Sequence, residues 1–526
     1  MTTARRSRTT PRRFDRAAYE RQAEEFLAKV NEERYLNGAG LKDELALGPL
    51  YREHERLFSR TTVDALRTLV DTGGDETERN RALLAFATDG LLEREAASLT
   101  DAIATAESRA VILWRGESIP YRAARPRISE IADRSTRNAL FGSWLEAVEL
   151  INPVRQERLD VMHAAATDLG YRDYVELVRV TRGWDPDALD RTTRTMLNDT
   201  ETGFYAAIRR TLARIGIEQG DGSLADTWYM LRGIGWDAWF EGRRLTRLLQ
   251  ATFAGIGIDL AGQSGATLDV EDRPGKSPRP FCSVVRAPGD VRLVVRPTGG
   301  WRDFAAALHE AGHLEHFLHV APQAPISRKL LGDYSVTEGY AIGLENLVGE
   351  SAYLGEQVGM PFEDTVAFAD FYALFSVDRM RHLAGLFLYQ LGLHRGGLPA
   401  VHRASYSGMI GLLTGVRVPE ELYLAEVDDG LYAGTYLRAI MLAGALDESL
   451  ARRHGMDWWR PSAAGDELRS LFARGTEWNA EQVVAHLGYD ALDWRPVLRK
   501  IRTQLIGEMS GYGGPNITTR AGSRKV

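Results

Sequence analysis

Apolar residues recur at three- and four-residue spacing along most of this 526-residue chain. The pattern is clearest in residues 19–30, 83–107 and 191–212, and it is the spacing that gives a helix one apolar face. A chain of this length in which 44% of residues are hydrophobic can bury one or two large cores. The sequence therefore predicts a mainly α fold with a substantial packed interior.

One segment departs from the helical spacing. Residues 280–300 contain two short β-branched runs separated by Ala-Pro-Gly-Asp at 287–290, which is the pattern of a β-hairpin. The segment ends with glycines at 299 and 300, and the helical spacing resumes near Trp301. The sequence thus predicts a small β-element that leads directly into a helix.

The helix expected after Trp301 carries the motif HEAGH, with histidines at His309 and His313 around Glu310. Residues four apart share one face of a helix, so two such imidazoles can bind one metal ion while the glutamate reaches a water molecule on it. Cys282 is the only cysteine, which excludes a thiolate-rich site. We therefore expect one zinc ion held by histidine and carboxylate.

A catalytic zinc site needs a third protein ligand, and two residues compete for that role. His319 lies ten residues after His309, as in the metzincin signature, but His316 stands where that signature has a turn-forming glycine. Glu338 lies in a second expected helix, from which its carboxylate would face the two imidazoles. We predict Glu338 as the third ligand.

The segment HEAGHLEHF, followed by Glu338 twenty-five residues after His313, resembles the gluzincin oligopeptidases, meaning the thimet oligopeptidase and oligoendopeptidase F families. Residues 281–350 are also similar to angiotensin-converting enzyme and to Taq-type carboxypeptidases, and the resemblance returns near residues 428–443. It implies a two-lobed helical metallopeptidase with a small β-element beside the zinc helix and a channel that admits short peptides.

The resemblance also implies that a tyrosine late in the chain donates a hydrogen bond to the tetrahedral intermediate. Tyr432 and Tyr436, in DDGLYAGTYLRAIMLAG, match this position and are four residues apart, so one helical face can carry both. The family pattern has a histidine shortly before the tyrosine, whereas positions 422–427 hold none. Tyr423 and Tyr436 are the candidates to replace this histidine as a hydrogen-bond donor.

These residues together predict zinc-dependent hydrolysis of peptide bonds in oligopeptides. Glu310 would accept a proton from the metal-bound water, and Tyr436 or Tyr432 would stabilise the oxyanion. The family resemblance further implies that the strand at 290–295 holds an extended peptide by edge addition.

Two alternatives stay open. One is a zinc carboxypeptidase or dipeptidyl carboxypeptidase, in which Arg379, Arg381 or Arg438 would hold the substrate carboxylate. The other is a catalytically inactive helical scaffold that binds zinc. Glu310 argues against the scaffold, because zinc binding alone needs no general base.

Glu345, two helical turns after Glu338, either orients a ligand histidine or forms an ordinary salt bridge.

Charge and hydropathy restrict the partners and the organisation. The 65 basic residues are scattered among 72 acidic ones, with a net charge of -7, which argues against nucleic-acid binding. We find no apolar run of about 18 residues and no secretory signal, so we expect no membrane partner and a cytoplasmic protein.

We expect a mobile basic arm (1–15), an N-terminal helical lobe (16–200), a catalytic zinc peptidase lobe (201–510) and an irregular tail (511–526). The sequence does not indicate an oligomeric state.

Overall fold

The computed structural model of the protein describes residues 14–218, 220–396 and 399–507. Residues 1–13 of the predicted basic arm lie outside this range, as does the whole predicted tail at 511–526. Among the described helices, none combines the length and the apolarity that crossing a bilayer requires.

Helices form most of the described chain, as the apolar spacing predicted. The three stretches with the clearest spacing lie within Arg16–Gly38, Thr77–Arg109 and Pro186–Arg214. The other α-helices are Leu47–Glu53, Arg60–Asp71, Tyr121–Glu130, Arg134–Asp168, Tyr174–Arg182, Leu224–Arg232, Gly242–Gly255, Trp301–Leu318, Ile326–Lys329, Tyr334–Glu345, Ser351–Tyr353, Phe362–His394, Pro399–Thr414, Tyr432–His454, Ser462–Phe472, Ala480–His486 and Arg495–Gly507. Short 3₁₀ or π turns occupy Glu55–Phe58, Ile234–Trp239, Asn346–Gly349, Leu354–Val358, Glu420–Leu424 and Asp429–Leu431.

Five short strands form two small sheets in the described chain. β1 (Val111–Trp114) and β2 (Glu117–Pro120) pair as an antiparallel hairpin. β3 (Ala266–Asp269), β4 (Phe281–Arg286) and β5 (Asp290–Val294) form a sheet in the order β3-β5-β4. The antiparallel β4–β5 pair is the predicted hairpin.

The position of β5 corrects one prediction. β5 pairs with β3 on one side and with β4 on the other, so its backbone N–H and C=O groups are used within the sheet. The prediction that the strand at 290–295 takes up a peptide by edge addition was therefore wrong, because only an edge strand has unpaired groups to offer.

Two hydrophobic cores organise the helices. The first core collects buried residues from 19–231, 374–441 and 494–501, together with Ile326 and Leu331. The second collects those from 240–320, 336–372 and 442–487. The helix Tyr432–His454 contributes Leu437 to the first core and Leu446 to the second. This arrangement confirms the predicted two-lobed, mainly helical fold with a small β-element beside the histidine-bearing helix. The exact lobe boundary at residue 200 stays a prediction.

Candidate metal centre and active site

A pair of glycines sets the start of the histidine helix (Trp301–Leu318). Gly299 and Gly300 have φ of 95° and 96°, in the left-handed region that favours glycine. A Cβ on Gly300 would lie 2.8 Å from the Asp237 Oδ1 atom, and that same oxygen accepts a hydrogen bond from the Trp301 N–H at 3.2 Å. The Gly-Gly sequence thus fixes where the helix begins and which way its histidines project.

Three predicted ligand atoms converge on one point. The Nε2 atoms of His309 and His313 are 3.2 Å apart. The Oε2 atom of Glu338 lies 3.3 Å from the His309 Nε2 and 3.8 Å from the His313 Nε2. The structure therefore brings together the two histidines and the glutamate that the sequence singled out.

Close packing of two helices places Glu338 opposite the histidines. The glutamate helix (Tyr334–Glu345) contacts the histidine helix at Gly312, where a Cβ would lie only 2.8 Å from the Ala341 Cα. Its N-terminus is capped by Asp333, whose side chain accepts a hydrogen bond from the Ser335 N–H. Small residues at the crossing allow the backbones to approach, and the cap fixes the first turn, so the Glu338 carboxylate reaches the imidazoles.

The geometry fits a tetrahedral zinc ion. Nitrogen and oxygen ligands about 2.0–2.1 Å from zinc lie roughly 3.3–3.4 Å from one another in a tetrahedron. The observed separations of 3.2, 3.3 and 3.8 Å are close to this value. The Glu338 Oε2 atom is buried and accepts no hydrogen bond from the described residues. The three atoms could therefore hold one metal ion and leave one position of a tetrahedron open.

Both imidazoles are oriented through their second nitrogen. The His309 Nδ1 lies 2.9 Å from Glu345 Oε2, and the His313 Nδ1 lies 2.8 Å from Thr337 Oγ1. Such partners fix which nitrogen faces a metal. Glu345 also accepts a hydrogen bond from Arg379 at 2.8 Å. The Thr337 contact was not predicted, because a threonine in the first turn of a helix is common and carries no signal of its own.

Burial and neighbouring charges have opposite effects on the pKa values of the two histidines and of the glutamates beside them. Burial disfavours the charged imidazoles, but at His309 the carboxylates of Glu338 and Glu345 outweigh it and raise the pKa to about 10. At His313 burial prevails and lowers the pKa to about 4. Burial also opposes ionisation of Glu338 and Glu345. The two imidazoles at Glu338, and Arg379 with His309 at Glu345, nevertheless lower both carboxyl pKa values to about 2. A proton on His309 therefore balances carboxylate charge that a divalent cation could balance instead.

Glu310 lies between the two histidines, His309 and His313, and the β-element. Its Oε2 atom accepts a hydrogen bond of 2.8 Å from the backbone N–H of Cys282 in β4. Burial raises the pKa of Glu310 to about 7, against the lowering effect of His309 and of this hydrogen bond. The strand that precedes the histidine helix thus holds the predicted general base in place. Burial also raises the pKa of the Cys282 thiol well above its usual value, which agrees with an unreactive core cysteine.

The two predicted tyrosines differ in what their hydroxyls contact. Both lie on the tyrosine helix (Tyr432–His454), and their rings meet edge to face with centroids 5.2 Å apart. The Tyr432 hydroxyl donates a 2.8 Å hydrogen bond to Glu338 Oε1. The Tyr436 ring lies under the Arg379 guanidinium at 5.8 Å. Tyr423 is buried beneath the guanidinium of Arg403, 4.5 Å from its ring centroid.

The alternative ligand His319 does not join the cluster. Its Nδ1 atom bonds the backbone carbonyl of Glu315 at 2.9 Å, one turn earlier on the histidine helix. His316 is fully buried, and its ring packs against Phe317 and Tyr340. The histidine helix continues to Leu318, as expected from the absence of a glycine at 316.

One other set of possible metal ligands occurs among the described residues. Glu25, Glu53 and His54 lie close together, but both glutamates are exposed. Lys29 pairs with Glu53 at 2.7 Å and with Glu25 at 3.1 Å. The lysine ammonium already balances these carboxylates, so this set is a surface ion-pair group.

The three arginines considered for a substrate carboxylate are engaged elsewhere. Arg381 is buried and donates to the carbonyls of Leu413 and Leu197. Arg438 is buried and pairs with Asp333 and with Glu481. Arg379 pairs with Glu345 beside His309. Two of these arginines hold helices together, and the third pairs with the carboxylate that contacts His309.

The protein is similar in fold to several solved structures. PZ peptidase A in complex with an inhibitor has a TM-score of 0.64 at 14% identity, over 93% of this chain and 91% of that one. A Bacillus anthracis protein described as an oligoendopeptidase F gives 0.61 at 15%, over 93% and 90%. An M32 carboxypeptidase from Deinococcus radiodurans R1 gives 0.62 at 15%, over 94% and 98%. The sequence matches no protein-family model and no curated protein. At 14–15% identity these matches show a shared fold, and this fold is the one that the predicted resemblance implied.

Proposed function

We propose that the protein hydrolyses peptide bonds in oligopeptides with one zinc ion held by His309, His313 and Glu338. The observation that carries the proposal is the convergence of these three ligand atoms beside Glu310. Structural zinc sites have four protein ligands, whereas catalytic sites have three and an open position. Three ligands beside a carboxylate base favour catalysis over a zinc-binding scaffold.

Glu310 is the proposed general base. A bound zinc ion would lower the pKa of a water molecule toward about 7 and polarise the peptide carbonyl. Glu310 would accept the proton of the attacking water and then deliver it to the amine that leaves. Burial raises the pKa of Glu310 in the metal-free protein, and a bound zinc ion would lower it again, so the proposed role rests on the position of Glu310 beside the three ligand atoms.

The two tyrosines have different proposed roles. Tyr432 donates to Glu338 and would orient this ligand. Tyr436 makes no hydrogen bond through its hydroxyl to any described residue and lies on the same face of the helix. We therefore assign Tyr436 as the donor that stabilises the oxyanion, and Tyr432 as a positioning residue.

The substrate would lie along β4, which replaces β5 in this role. β4 is an edge strand, and its Cys282 N–H points away from β5 to Glu310. Further along the same edge, the Asn31 side chain already occupies the Val284 carbonyl at 2.7 Å, so the proposed peptide contact is limited to the part of β4 near Cys282. An extended peptide beside Cys282 would have its backbone next to the general base, which supports short, unfolded peptides as the substrate class.

The test is hydrolysis of a quenched fluorescent peptide library by the full-length, zinc-loaded protein. We expect cleavage that a zinc chelator abolishes and added zinc restores. The variant Glu53→Gln alters only the exposed surface group with Glu25 and His54, so its activity should equal that of the wild type. Stoichiometric zinc binding without cleavage of any peptide would contradict the proposal and favour the inactive scaffold.

A further inference from the structure

Arg302 lies on the histidine helix seven residues before His309. A separation of seven residues brings two side chains back to the same helical face. The separation along the axis is roughly 10 Å at about 1.5 Å per residue. Arg302 is therefore on the metal-binding face of this helix, two turns towards its N-terminus.

The Arg302 guanidinium is held in place without an acidic partner. It stacks on the rings of Trp301 and Phe375, each 4.9 Å from the guanidinium carbon to the ring centroid, and it donates one hydrogen bond to the Leu231 carbonyl at 2.7 Å. No ion pair to Arg302 occurs among the described residues. Two aromatic rings and a carbonyl thus orient a planar fork whose remaining N–H groups are open to a ligand.

Phe375 connects Arg302 to the metal site. It precedes Arg379 by four residues on the helix Phe362–His394, so the two side chains share one helical face. Arg379 in turn contacts both Glu345 and the Tyr436 ring. One continuous wall therefore runs from Arg302 to the oxyanion donor.

Arg302 lies near several other arginines. Its side chain is open to solvent, and burial together with Arg232, Arg125, Arg279 and Arg379 lowers its pKa to about 10. Arg232, Arg125 and Arg379 each pair with a carboxylate, whereas Arg302 pairs with none among the described residues. An unpaired guanidinium attracts carboxylates.

The Asp378 carboxylate interacts electrostatically with the Arg302 guanidinium but forms no ion pair with it. Burial raises the pKa of Asp378 to about 6, while His382, Arg381 and Arg302 lower it. The Asp378 Oδ1 atom is buried and has no hydrogen-bond partner among the described residues. Asp378 therefore leaves the Arg302 fork unneutralised.

We propose that Arg302 binds a carboxylate of the substrate peptide about three residues from the cleaved bond, since the rise of about 10 Å between positions 302 and 309 matches three residues of extended chain at about 3.3 Å each. We place it on the C-terminal side of that bond, because only there can the terminal carboxylate of a peptide lie. This inference rests on the proposed peptidase function. Planar guanidinium groups bind carboxylates through two parallel hydrogen bonds. The carboxylate is either the peptide C-terminus, which gives release of short C-terminal fragments, or an acidic side chain.

The experiment uses matched peptides that differ only in a free or an amidated C-terminus, three residues beyond the cleaved bond. A further amidated pair carries Glu or Gln at that third position. Charge-assisted pairing of this kind corresponds to about 10- to 100-fold in affinity. We expect kcat/KM of the zinc-loaded wild type to be at least about tenfold higher for the carboxylate peptide of one pair. The pair that shows the preference identifies the source of the carboxylate.

Arg302→Gln should bring the ratio of kcat/KM values within the preferred pair down to about one, and Arg302→Lys should restore part of that preference. Arg243→Gln is the control, because Arg243 is an exposed arginine paired with Glu241 on a neighbouring helix. Equal rates for both members of each pair in the wild type would overturn the proposal. A preference that survives in Arg302→Gln would overturn it as well.

Equilibrium binding of the same peptides to Glu310→Gln separates this inference from the proposed function. If Glu310→Gln binds the carboxylate peptide at least about tenfold more tightly and the double variant with Arg302→Gln does not, the subsite stands even where the wild type hydrolyses nothing. Equal affinities in that background refute the subsite even where the wild type is an active peptidase.

Discussion

Replacing Glu345 by glutamine should weaken zinc binding without removing a ligand. The Glu345 Oε2 atom lies 2.9 Å from His309 Nδ1, and its other oxygen accepts from Arg379 at 2.8 Å. Glu345→Gln keeps the volume and one acceptor but removes the negative charge that makes the imidazole a stronger ligand. The three ligand side chains remain in place, so the variant isolates the effect of orientation and charge.

The expected loss follows from the contact that is weakened. A hydrogen bond to a charged group contributes about 1.5–3 kcal/mol, and loss of the partner of a ligand histidine lowers metal affinity about 10- to 100-fold, or roughly 1.4–2.8 kcal/mol. Because glutamine can still accept from Nδ1–H, we expect the lower end, a loss of about tenfold.

Competition with a chromophoric chelator measures this change, with thermal stabilisation by added zinc as a second readout. Glu467→Gln is the matched control, because Glu467 accepts from His454 Nε2 at 2.9 Å and pairs with Arg453 at 2.6 Å, outside the metal cluster. Its zinc affinity should be that of the wild type. An unchanged affinity in Glu345→Gln, or an equal loss in both variants, would refute the reasoning.

Three further substitutions test separate parts of the site. Glu338→Ala removes one of the three ligand atoms, so dialysed protein should contain no stoichiometric zinc by elemental analysis; retained zinc would reject Glu338 as a ligand. Tyr436→Phe should lower kcat about 100- to 1000-fold at unchanged zinc affinity, whereas Tyr432→Phe should weaken zinc binding through Glu338; the reverse pattern would exchange the two roles. Burial raises the pKa of Glu315 from 4.5 to about 8, so the folded protein binds more protons than the unfolded chain between these values and loses stability as pH rises. Glu315→Gln should flatten this dependence in denaturant unfolding of the metal-free protein at pH 5 and 8, and an unchanged slope would contradict the assignment.

The local signals in the sequence predicted the parts of the site that depend on spacing within one element. The four-residue separation of His309 and His313 places them on one helical face whatever the rest of the fold does. The glycine pair at 299 and 300 likewise marks the end of the hairpin and the start of the histidine helix. Such features need no knowledge of distant contacts.

Contacts between distant segments could not be predicted in the same way. β3 has only four residues and pairs in parallel with β5, more than twenty residues later, so nothing local showed that β5 would be central. The Tyr432 contact with Glu338 spans 94 positions, and the sequence could not choose between Tyr432 and Tyr436. Arg302 was not singled out, because an arginine at a helix start is ordinary until its neighbours are known to include no acidic partner.

Glu310→Gln, assayed for both zinc content and peptide hydrolysis, tests the role of the proposed general base. The glutamine retains the shape of the side chain and leaves the three ligands intact, so near-stoichiometric zinc should remain bound by elemental analysis. Because an amide cannot accept the proton of the attacking water, peptide hydrolysis should be lost. Hydrolysis at the wild-type rate with zinc bound would contradict the assignment of Glu310 and the mechanism built on it.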